Sequence, residues 1–337
     1  MQFNYKAALN TLKTLRPLMI LMIAGLAASG TACDPANGNA PGVERLSKDA
    51  RFREYWYNGT AELNRYSLQQ ARYGELRNGE AVLIFVTEPF LKSKQVKYEG
   101  PPGAPGARDA MDVFKLNSTR KFFTGLYPYS TMTSTFTPVD AGPAKRKALN
   151  ITTSVQEWCG HVYAQLNLRG DQYQVESHSY FEKEADQSFA ISDAITEDGL
   201  WALIRLKPDA LPTGRLQILP GTQFLRLRHL PTRAESVAAE LRDLDPLRDA
   251  ALKNGPKPLR VYELAYQNIP RKLRIAFEKN FPHSIVAWEE EGESGRGPSK
   301  NSLTTRAVRT NVLRTDYWSK NSNQDAPLRA RLGVTAF

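Results

Sequence analysis

The sequence is poor in cysteine and histidine, with two cysteines and four histidines among its 337 residues. It has no His-Glu-x-x-His, Cys-x-x-Cys or Gly-x-Ser-x-Gly motif and no glycine-rich phosphate loop. These absences exclude the motif-defined zinc proteases, dithiol oxidoreductases, serine hydrolases and nucleotide-binding proteins. The apolar run at residues 17–28 is also short for a transmembrane helix, which needs roughly 20 residues.

Residues 1–32 have the layout of a secretory signal: a basic start without acids, the apolar run, and then small residues. This order predicts export. A cysteine follows the small residues directly, so we expect a lipoprotein-type signal whose cleavage leaves Cys33 as the lipidated first residue. Gly30 stands where such sites usually carry leucine, and ordinary cleavage near Ala32 or an uncleaved anchor stay open as alternatives.

Residues 33–42 are rich in Pro, Gly and Asn, which predicts a flexible tether. We therefore expect a periplasmic or cell-surface protein whose lipid on Cys33 makes the membrane a partner. Without the three basic residues of the signal, the net charge falls from +10 to about +7. Much of this excess lies beyond residue 295, including a basic tail at residues 321–337. We favour a solvated strand face with a basic tail as its explanation. The alternative is contact with acidic lipid headgroups or an acidic glycan, and no nucleic acid partner is expected.

Runs of β-branched and aromatic residues between short turns predict a mainly β protein. Period-two alternation indicates four successive strands between residues 259 and 318. Gly170-Asp171 and Asn78-Gly79 each predict a tight two-residue hairpin turn. We expect one domain at residues 43–320, an antiparallel meander that forms a curved sheet or barrel with one or two short helices.

Three segments refine this expectation. Residues 194–206 look helical, and if the domain divides, its two halves meet there. The alternation of Leu225, Leu227 and His229 predicts a strand. Residues 234–253 are ambiguous, since their composition favours a helix while their apolar spacing also fits a strand.

The segment at residues 154–181 concentrates reactive residue types. If Gly170-Asp171 is a two-residue turn, Leu168 faces Tyr173 and Val162 faces Ser179, and an apolar face results that also includes Trp158. The opposite, polar face then carries Cys159, His161, Tyr163, His178 and Tyr180.

These five residues are the candidate ligand or metal residues of the chain. Two imidazoles and a thiolate can hold zinc or copper, and a thiol beside an imidazole can act as a nucleophile. However, any half-buried sheet needs one polar face. We therefore favour a structural or ligand-lining role, assign no catalytic residue and no metal, and expect no cofactor.

Three stretches resemble a family of exported lipoproteins of Bacteroidota whose members are often labelled "septum formation inhibitor Maf". The stretches are YWYNGTAELNRYSLQQARYGELRNGEAVLIFVTEPF, SVQEWCGHVYAQLN and KNFPHSIVAWEEE. The similarity runs in the same order across residues 50–315 and implies export and lipidation. The active-site segments of Maf pyrophosphatases do not occur here, so the resemblance implies no catalytic residues.

These observations predict a non-enzymatic envelope lipoprotein that binds a lipid-like or amphipathic ligand, or a partner protein, in or on a curved β-sheet. Two alternatives stay open. One is an envelope hydrolase or metal-binding protein centred on Cys159, His161 and His178. The other is a structural scaffold in an envelope complex.

Overall fold

The computed structural model describes residues 49–334 except 102, 141–146, 193, 256, 296, 298 and 299. The predicted signal at residues 1–32, the tether at residues 33–42 and Cys33 therefore lie outside the described residues. Within residues 49–334, none of the described helices has the length and apolar character needed to cross a membrane.

The described chain is mainly β, as the sequence predicted, and sixteen strands form one curved sheet. The strands are β1 (Ala61–Arg72), β2 (Glu75–Leu91), β3 (Val96–Lys97), β4 (Ala110–Phe123), β5 (Pro128–Pro138), β6 (Asn150–Glu157), β7 (Gly160–Arg169), β8 (Gln172–Ser179), β9 (Gln187–Ser192), β10 (Ile195–Thr196), β11 (Gly214–Leu219), β12 (Glu235–Asp243), β13 (Leu259–Tyr266), β14 (Arg271–Glu278), β15 (Ile285–Ser294) and β16 (Asn301–Thr315). Four short helices accompany them, more than the expected one or two: α1 (Ala50–Trp56), α2 (Glu197–Leu206), α3 (Thr222–Arg228) and α4 (Pro327–Leu332).

The sheet is a meander whose first and last long strands pair with each other. Because β16 lies beside β1, the spatial order runs from β10 through β16 to β1 and on to β9, with β3 beside β2. Neighbours are antiparallel except β10 and β11. The free edges β9 and β10 thus fall in the middle of the chain. No strand pairing among the described residues joins these edges, so the curved sheet stays open.

Helix α2 follows edge strand β10 directly and fills the concave side of the sheet. Its buried residues lie on all sides of the helix, as expected for a helix inside a core. Trp201 packs edge-on against Trp288 of β15 with 5.3 Å between ring centroids. The guanidinium of Arg205 lies 4.5 Å from the ring centroid of Phe85 in β2. The interior is therefore a packed core and not an empty lumen.

Buried ion pairs bind both ends of α2 to the sheet. In its last turn, Arg205 donates two hydrogen bonds to the carboxylate of Glu62, at 2.8 and 3.0 Å. In its first turn, Glu197 accepts from Arg271 Nη2 at 2.6 Å. An acid at the N-terminus and a base at the C-terminus also suit the helix macrodipole. A buried pair of opposite charges thus fixes each end of the helix to the sheet.

The turns at residues 73–74, 124–127 and 158–159 lie at one end of the sheet, because successive antiparallel strands bring the chain back to the same side. We call this end the hairpin end. Helix α1 lies at the opposite end, where Tyr57 just after it donates to Asp112 near the start of β4 at 3.0 Å.

The two predicted hairpin turns have different outcomes. The Gly170-Asp171 turn is confirmed, with Arg169 opposite Gln172 and Val162 opposite Ser179. The Asn78-Gly79 turn is wrong, since both residues lie inside β2 and Tyr73-Gly74 makes the turn. Gly79 faces Phe122 of β4, where a Cβ would lie 2.8 Å from the Phe122 Cβ. Close strand packing, not a turn, requires this glycine.

In two further segments the observed secondary structure corrects or completes the prediction from sequence. The strand expected at Leu225 and Leu227 is wrong: these residues belong to helix α3, where both are buried. In seven residues, a helical and an alternating apolar pattern are hard to tell apart. The ambiguous segment contains β12, whose Val237 and Ala239 face the core. Burial on one side of the sheet outweighed a composition that favours a helix.

Candidate functional site

An open groove lies on the outer face of the sheet at the hairpin end and has a volume of about 480 Å³. Its floor is a row of polar residues that face one another across four adjacent strands. The row consists of Lys121 (β4), Ser130 (β5), Gln156 (β6) and His161 (β7). Their sequence neighbours point to the opposite face, since side chains alternate along a strand. The floor is therefore turned away from the core.

The rim of the groove is apolar and lies nearer the hairpin turns. Phe123 is directly opposite Pro128, and Trp158 stands in the turn between β6 and β7. Phe123 is 54% exposed and Trp158 is 69% exposed. The Trp158 ring stacks on Tyr127 with 6.3 Å between centroids. The groove thus combines an apolar rim with a polar floor.

The exposure of Trp158 corrects its expected place on the core-facing side of the hairpin. Strand alternation assigns residues to faces only while the strand continues. Strand β6 ends at Glu157 and β7 begins at Gly160, so Trp158 leaves the alternation and projects at the tip of the sheet.

Of the five candidate residues, His161 lines the groove, and Tyr163 and His178 are direct neighbours of each other. Tyr163 lies opposite His178 across β7 and β8, as the predicted register requires. His178 Nδ1 contacts Asp186 Oδ1 at 3.2 Å, and the Tyr163 hydroxyl donates to Gln165 Oε1 at 2.5 Å. Tyr163 and His178 are thus held by local polar neighbours on the outer face.

The remaining two candidates lie at the hairpin tips. Cys159 is exposed in the turn, and a hydrogen bond to the neighbouring Glu157 carboxylate, together with its charge, raises the pKa of its thiol. An activated nucleophile needs the opposite shift. The Tyr180 ring packs on Gly160, where a Cβ would lie 2.7 Å from the Tyr180 Cγ. This close approach explains the glycine at the start of β7.

The hydrolase and metal interpretations gain no support from this geometry. In the part of the chain that the structure describes, no group of three His, Cys, Asp or Glu side chains is arranged to hold a metal ion. Instead, His161 belongs to the groove and His178 is paired with Asp186. Cys159 is exposed in the turn between β6 and β7.

A second space, which we call the interior cavity, lies on the concave side next to the first turn of α2. Its volume is about 50 Å³. At its wall, Glu290 accepts from Arg120 Nη2 at 2.5 Å and from Arg271 Nη1 at 3.3 Å. Burial opposes ionisation, yet these two arginines lower the pKa of Glu290 to about 2. Glu290 is therefore a fixed negative charge of the cavity wall.

Asp198 at the same wall has the opposite electrostatic setting. Burial raises the pKa of Asp198 to about 6, and the charge of Glu197 adds to the effect. The backbone N–H of Thr222 donates to Asp198 Oδ2 at 2.9 Å and favours the ionised form, but it does not offset the burial. Asp198 thus titrates near neutral pH.

A cluster of tyrosines lies between the groove and the interior cavity. The hydroxyls of Tyr73 and Tyr129 are 2.6 Å apart, and Arg72 donates to both at 3.1 and 3.0 Å. Tyr129 also lines the groove, while Arg72 lines the cavity. Tyr73 takes a left-handed backbone conformation with φ +56°, which is uncommon for a bulky residue. The tight turn holds the Tyr73 hydroxyl in this cluster.

Sequence reasoning did not single out the groove residues Lys121, Phe123 and Ser130. One signal was available. Phe122 and Phe123 are adjacent in a strand-like segment, so one of the two rings has to face outward. Phe122 is buried against Tyr129 with its ring stacked at 4.9 Å, and Phe123 is the exposed one.

Comparisons of the chain with protein families, curated proteins and solved structures find no match.

Proposed function

We propose that the protein is a non-enzymatic lipoprotein of the cell envelope that binds a lipid-like, amphipathic molecule in the groove on the outer face of its sheet. The amphipathic character of this groove supports the proposal. Its volume of about 480 Å³ lies within the roughly 300–1,000 Å³ of small-molecule sites. A single ligand can contact the apolar rim with one part and the polar floor with another.

The two sides of the groove indicate how such a ligand lies. Phe123 and Trp158 offer ring faces to an apolar chain at the tip of the sheet. The polar group of the ligand then rests over the floor, where Lys121 supplies a positive charge and His161 a ring nitrogen. The Glu157 carboxylate also lines the groove. The head group therefore meets charges of both signs, which favours a zwitterionic one.

The interior of the sheet is less suited to a chain-like ligand. Helix α2 and the aromatic core fill the concave side, and the interior cavity of about 50 Å³ has room for only a few water molecules. An acyl chain would have to displace Trp201 or Trp288. We therefore place the ligand on the sheet and not inside it.

The start of the described chain is compatible with a tethered protein whose groove stays accessible. Asp49 caps helix α1 at the end opposite the hairpin end. A tether that reaches the domain there joins it at the far end from Trp158.

The ligand proposal can be tested with a brominated single-chain phospholipid kept below its critical micelle concentration, since bromine quenches a tryptophan on contact. Trp56, Trp201 and Trp288 are buried, and Trp158 is the strongly exposed tryptophan. We expect saturable quenching of the purified mature chain. Trp158→Phe should abolish the saturable part, and Trp318→Phe, which removes a half-buried tryptophan elsewhere, should leave it unchanged.

A second pair of variants separates groove binding from general adsorption. Phe123→Ser should weaken the apparent affinity about tenfold, because the apolar rim loses an exposed ring. Leu247→Ser is the matched control, since Leu247 is 92% exposed in a different loop. Quenching that persists in Trp158→Phe, or that rises without saturation, would contradict the proposal.

The anchor is tested by labelling cells with radioactive palmitate. The wild-type chain should incorporate label and Cys33→Ser should not. Cys159→Ser is the matched cysteine control and should label like the wild type. Label that remains in Cys33→Ser would show that Cys33 is not the lipidated residue.

A further inference from the structure

Four arginines from distant parts of the chain line the interior cavity. They are Arg72 at the end of β1, Arg120 in β4, Arg228 at the end of α3 and Arg271 in β14. Three of them are buried and Arg228 is half-buried. Charged side chains are rarely taken out of water without a compensating partner.

Two of the four arginines are neutralised by the cavity wall. Arg271 pairs with Glu197 at 2.6 Å and with Glu290 at 3.3 Å, and Arg120 pairs with Glu290 at 2.5 Å. Glu197 in addition accepts from the Tyr266 hydroxyl at 2.6 Å. Among the described residues, these two carboxylates form their ion pairs with Arg120 and Arg271 and not with Arg72 or Arg228.

The other two arginines have no carboxylate partner among the described residues. Arg72 donates to the Leu227 carbonyl oxygen and to the hydroxyls of Tyr73 and Tyr129, all of them uncharged acceptors. Within residues 49–334 as described, the Arg228 side chain has neither a hydrogen bond nor an ion pair. Burial and the positive charges of Arg72 and Arg271 lower the pKa of Arg228, and Glu290 and Glu293 only partly offset this. Arg72 and Arg228 therefore line the cavity without a direct carboxylate contact among the described residues.

Two guanidinium N–H donors at the cavity also lack a hydrogen-bond partner among the described residues. The Nε atoms of Arg72 and Arg120 are buried without a hydrogen-bond partner in the described part of the chain. A buried donor left unsatisfied costs roughly 1–3 kcal/mol, so such donors are normally paired. Arg72, Arg120 and Arg228 all line one small cavity, and an acceptor bound there would give their guanidinium groups a common partner.

We propose that the interior cavity is a binding site for a small oxyanion, a phosphate or carboxylate group held by Arg72, Arg120 and Arg228. Guanidinium groups bind these anions through paired hydrogen bonds. The cavity volume of about 50 Å³ matches one such group and excludes a large ligand. Arg228 is half-buried and Glu291 beside the cavity is exposed, so an ion can enter from the hairpin end.

Asp198 and Glu291 are the opposing charges at this site. Glu291 is exposed and acts through solvent, where its effect is screened. Asp198 is buried and opposes an anion more strongly when it is ionised. Its carboxyl group already accepts from the Thr222 N–H. This site rests on a different observation from the groove on the outer face and does not depend on a ligand there.

The test uses inorganic phosphate and the mature chain, with chloride added so that ionic strength is constant. Calorimetry should show one site, and phosphate at one hundred times its Kd should raise Tm by about 5–10 °C. Arg228→Gln should weaken phosphate binding at least tenfold. Arg215→Gln, which removes an exposed arginine on β11, should bind like the wild type.

The variants also separate a binding role from a structural one. Without phosphate, Arg228→Gln should keep or raise Tm, because it removes a partly buried charge that Arg72 and Arg271 repel. A structural arginine would instead lower Tm. Arg228→Lys keeps the charge but not the paired hydrogen bonds, and it should bind with intermediate affinity.

Short-chain phosphatidic acid distinguishes the two sources of a phosphate group. If it competes with phosphate for the site, the group can belong to a lipid; if it does not, the site takes the free anion. Trp158→Phe should bind phosphate normally, so failure of the groove proposal leaves this result untouched. Phosphate binding that is absent, or equal in wild type and Arg228→Gln, would overturn the proposal.

Discussion

Arg205 of α2 and Glu62 of β1 form a two-point ion pair inside the sheet, with Nη1–Oε1 at 2.8 Å and Nη2–Oε2 at 3.0 Å. Both side chains are almost completely buried. The Glu62 carboxylate accepts further hydrogen bonds from Tyr55 and Asn64. The interior helix is therefore fixed to the first long strand by a charge pair whose carboxylate is fully used.

Breaking this pair should destabilise the fold, because one charge then stays buried without a partner. We expect Arg205→Met to lower the free energy of unfolding by about 3–5 kcal/mol. Arg205→Met with Glu62→Gln should recover at least about 2 kcal/mol, since glutamine is neutral and still accepts from Tyr55. Denaturant unfolding of the single and double variants measures both values.

A surface pair provides the control for that cycle. Arg77 and Glu75 are 2.6 Å apart, but Glu75 is exposed. Arg77→Met should change stability by less than about 1 kcal/mol. Equal losses at Arg205 and Arg77 would show that burial of the interior pair has no energetic consequence.

Asp198 should make the stability of the fold depend on pH near neutrality. Its pKa is raised to about 6 in the folded chain, against roughly 3.9 in an unfolded chain. The stability linked to its protonated form is present below the unfolded value and is lost as pH rises through about 6. Asp198→Asn should therefore stabilise the protein by roughly 3 kcal/mol at pH 8 and have little effect at pH 4.

Unfolding in denaturant at the two pH values tests this expectation. Asn keeps an oxygen that accepts from the Thr222 N–H, so the hydrogen bond is preserved. Asp171→Asn, in the exposed turn between β7 and β8, is the control and should show no such pH-dependent gain. A variant Asp198→Asn that is less stable than wild type at pH 8 would contradict the assigned burial effect.

The parts of the fold that could be predicted are those decided over a few neighbouring residues. The register of β7 and β8 follows from one two-residue turn, Gly170-Asp171, and from alternation on both sides of it. The outer-face position of His161, Tyr163 and His178 follows from the same register. Alternation does not predict the face for residues beyond the end of a strand, such as Trp158.

The parts that could not be predicted depend on pairings between distant segments. Nothing near β1 indicates that it will lie beside β16, for example with Leu63 opposite Leu313. The interior cavity likewise collects Arg72, Arg120 and Arg228 from two strands and a helix. Each of these arginines looks like an ordinary surface residue in its own segment, and only the assembled sheet shows that they share one space.

Cys159 should be accessible but weakly nucleophilic. The adjacent Glu157 carboxylate raises its pKa through a hydrogen bond and its negative charge. We expect Glu157→Gln to shift the pH–rate profile for reaction with a disulfide reagent to lower pH and to speed the reaction several-fold at pH 8. Glu176→Gln, farther along the outer face, should leave the profile unchanged. A wild-type midpoint below pH 7 would instead restore the interpretation of Cys159 as a nucleophile.

The C-terminal segment should contribute to stability, although its composition suggested a basic tail. Leu332 of α4 is buried against a cluster on the outer face that includes Leu63, Val82 and Leu313. Leu332→Ala should lower the free energy of unfolding by about 2–3 kcal/mol, since it removes buried methyl groups and leaves a cavity. Leu247→Ala, at a fully solvated leucine, should change it by less than about 0.5 kcal/mol. If both variants unfold like the wild type, α4 does not pack on the sheet in solution, and the outer face beside β1 is free for another partner.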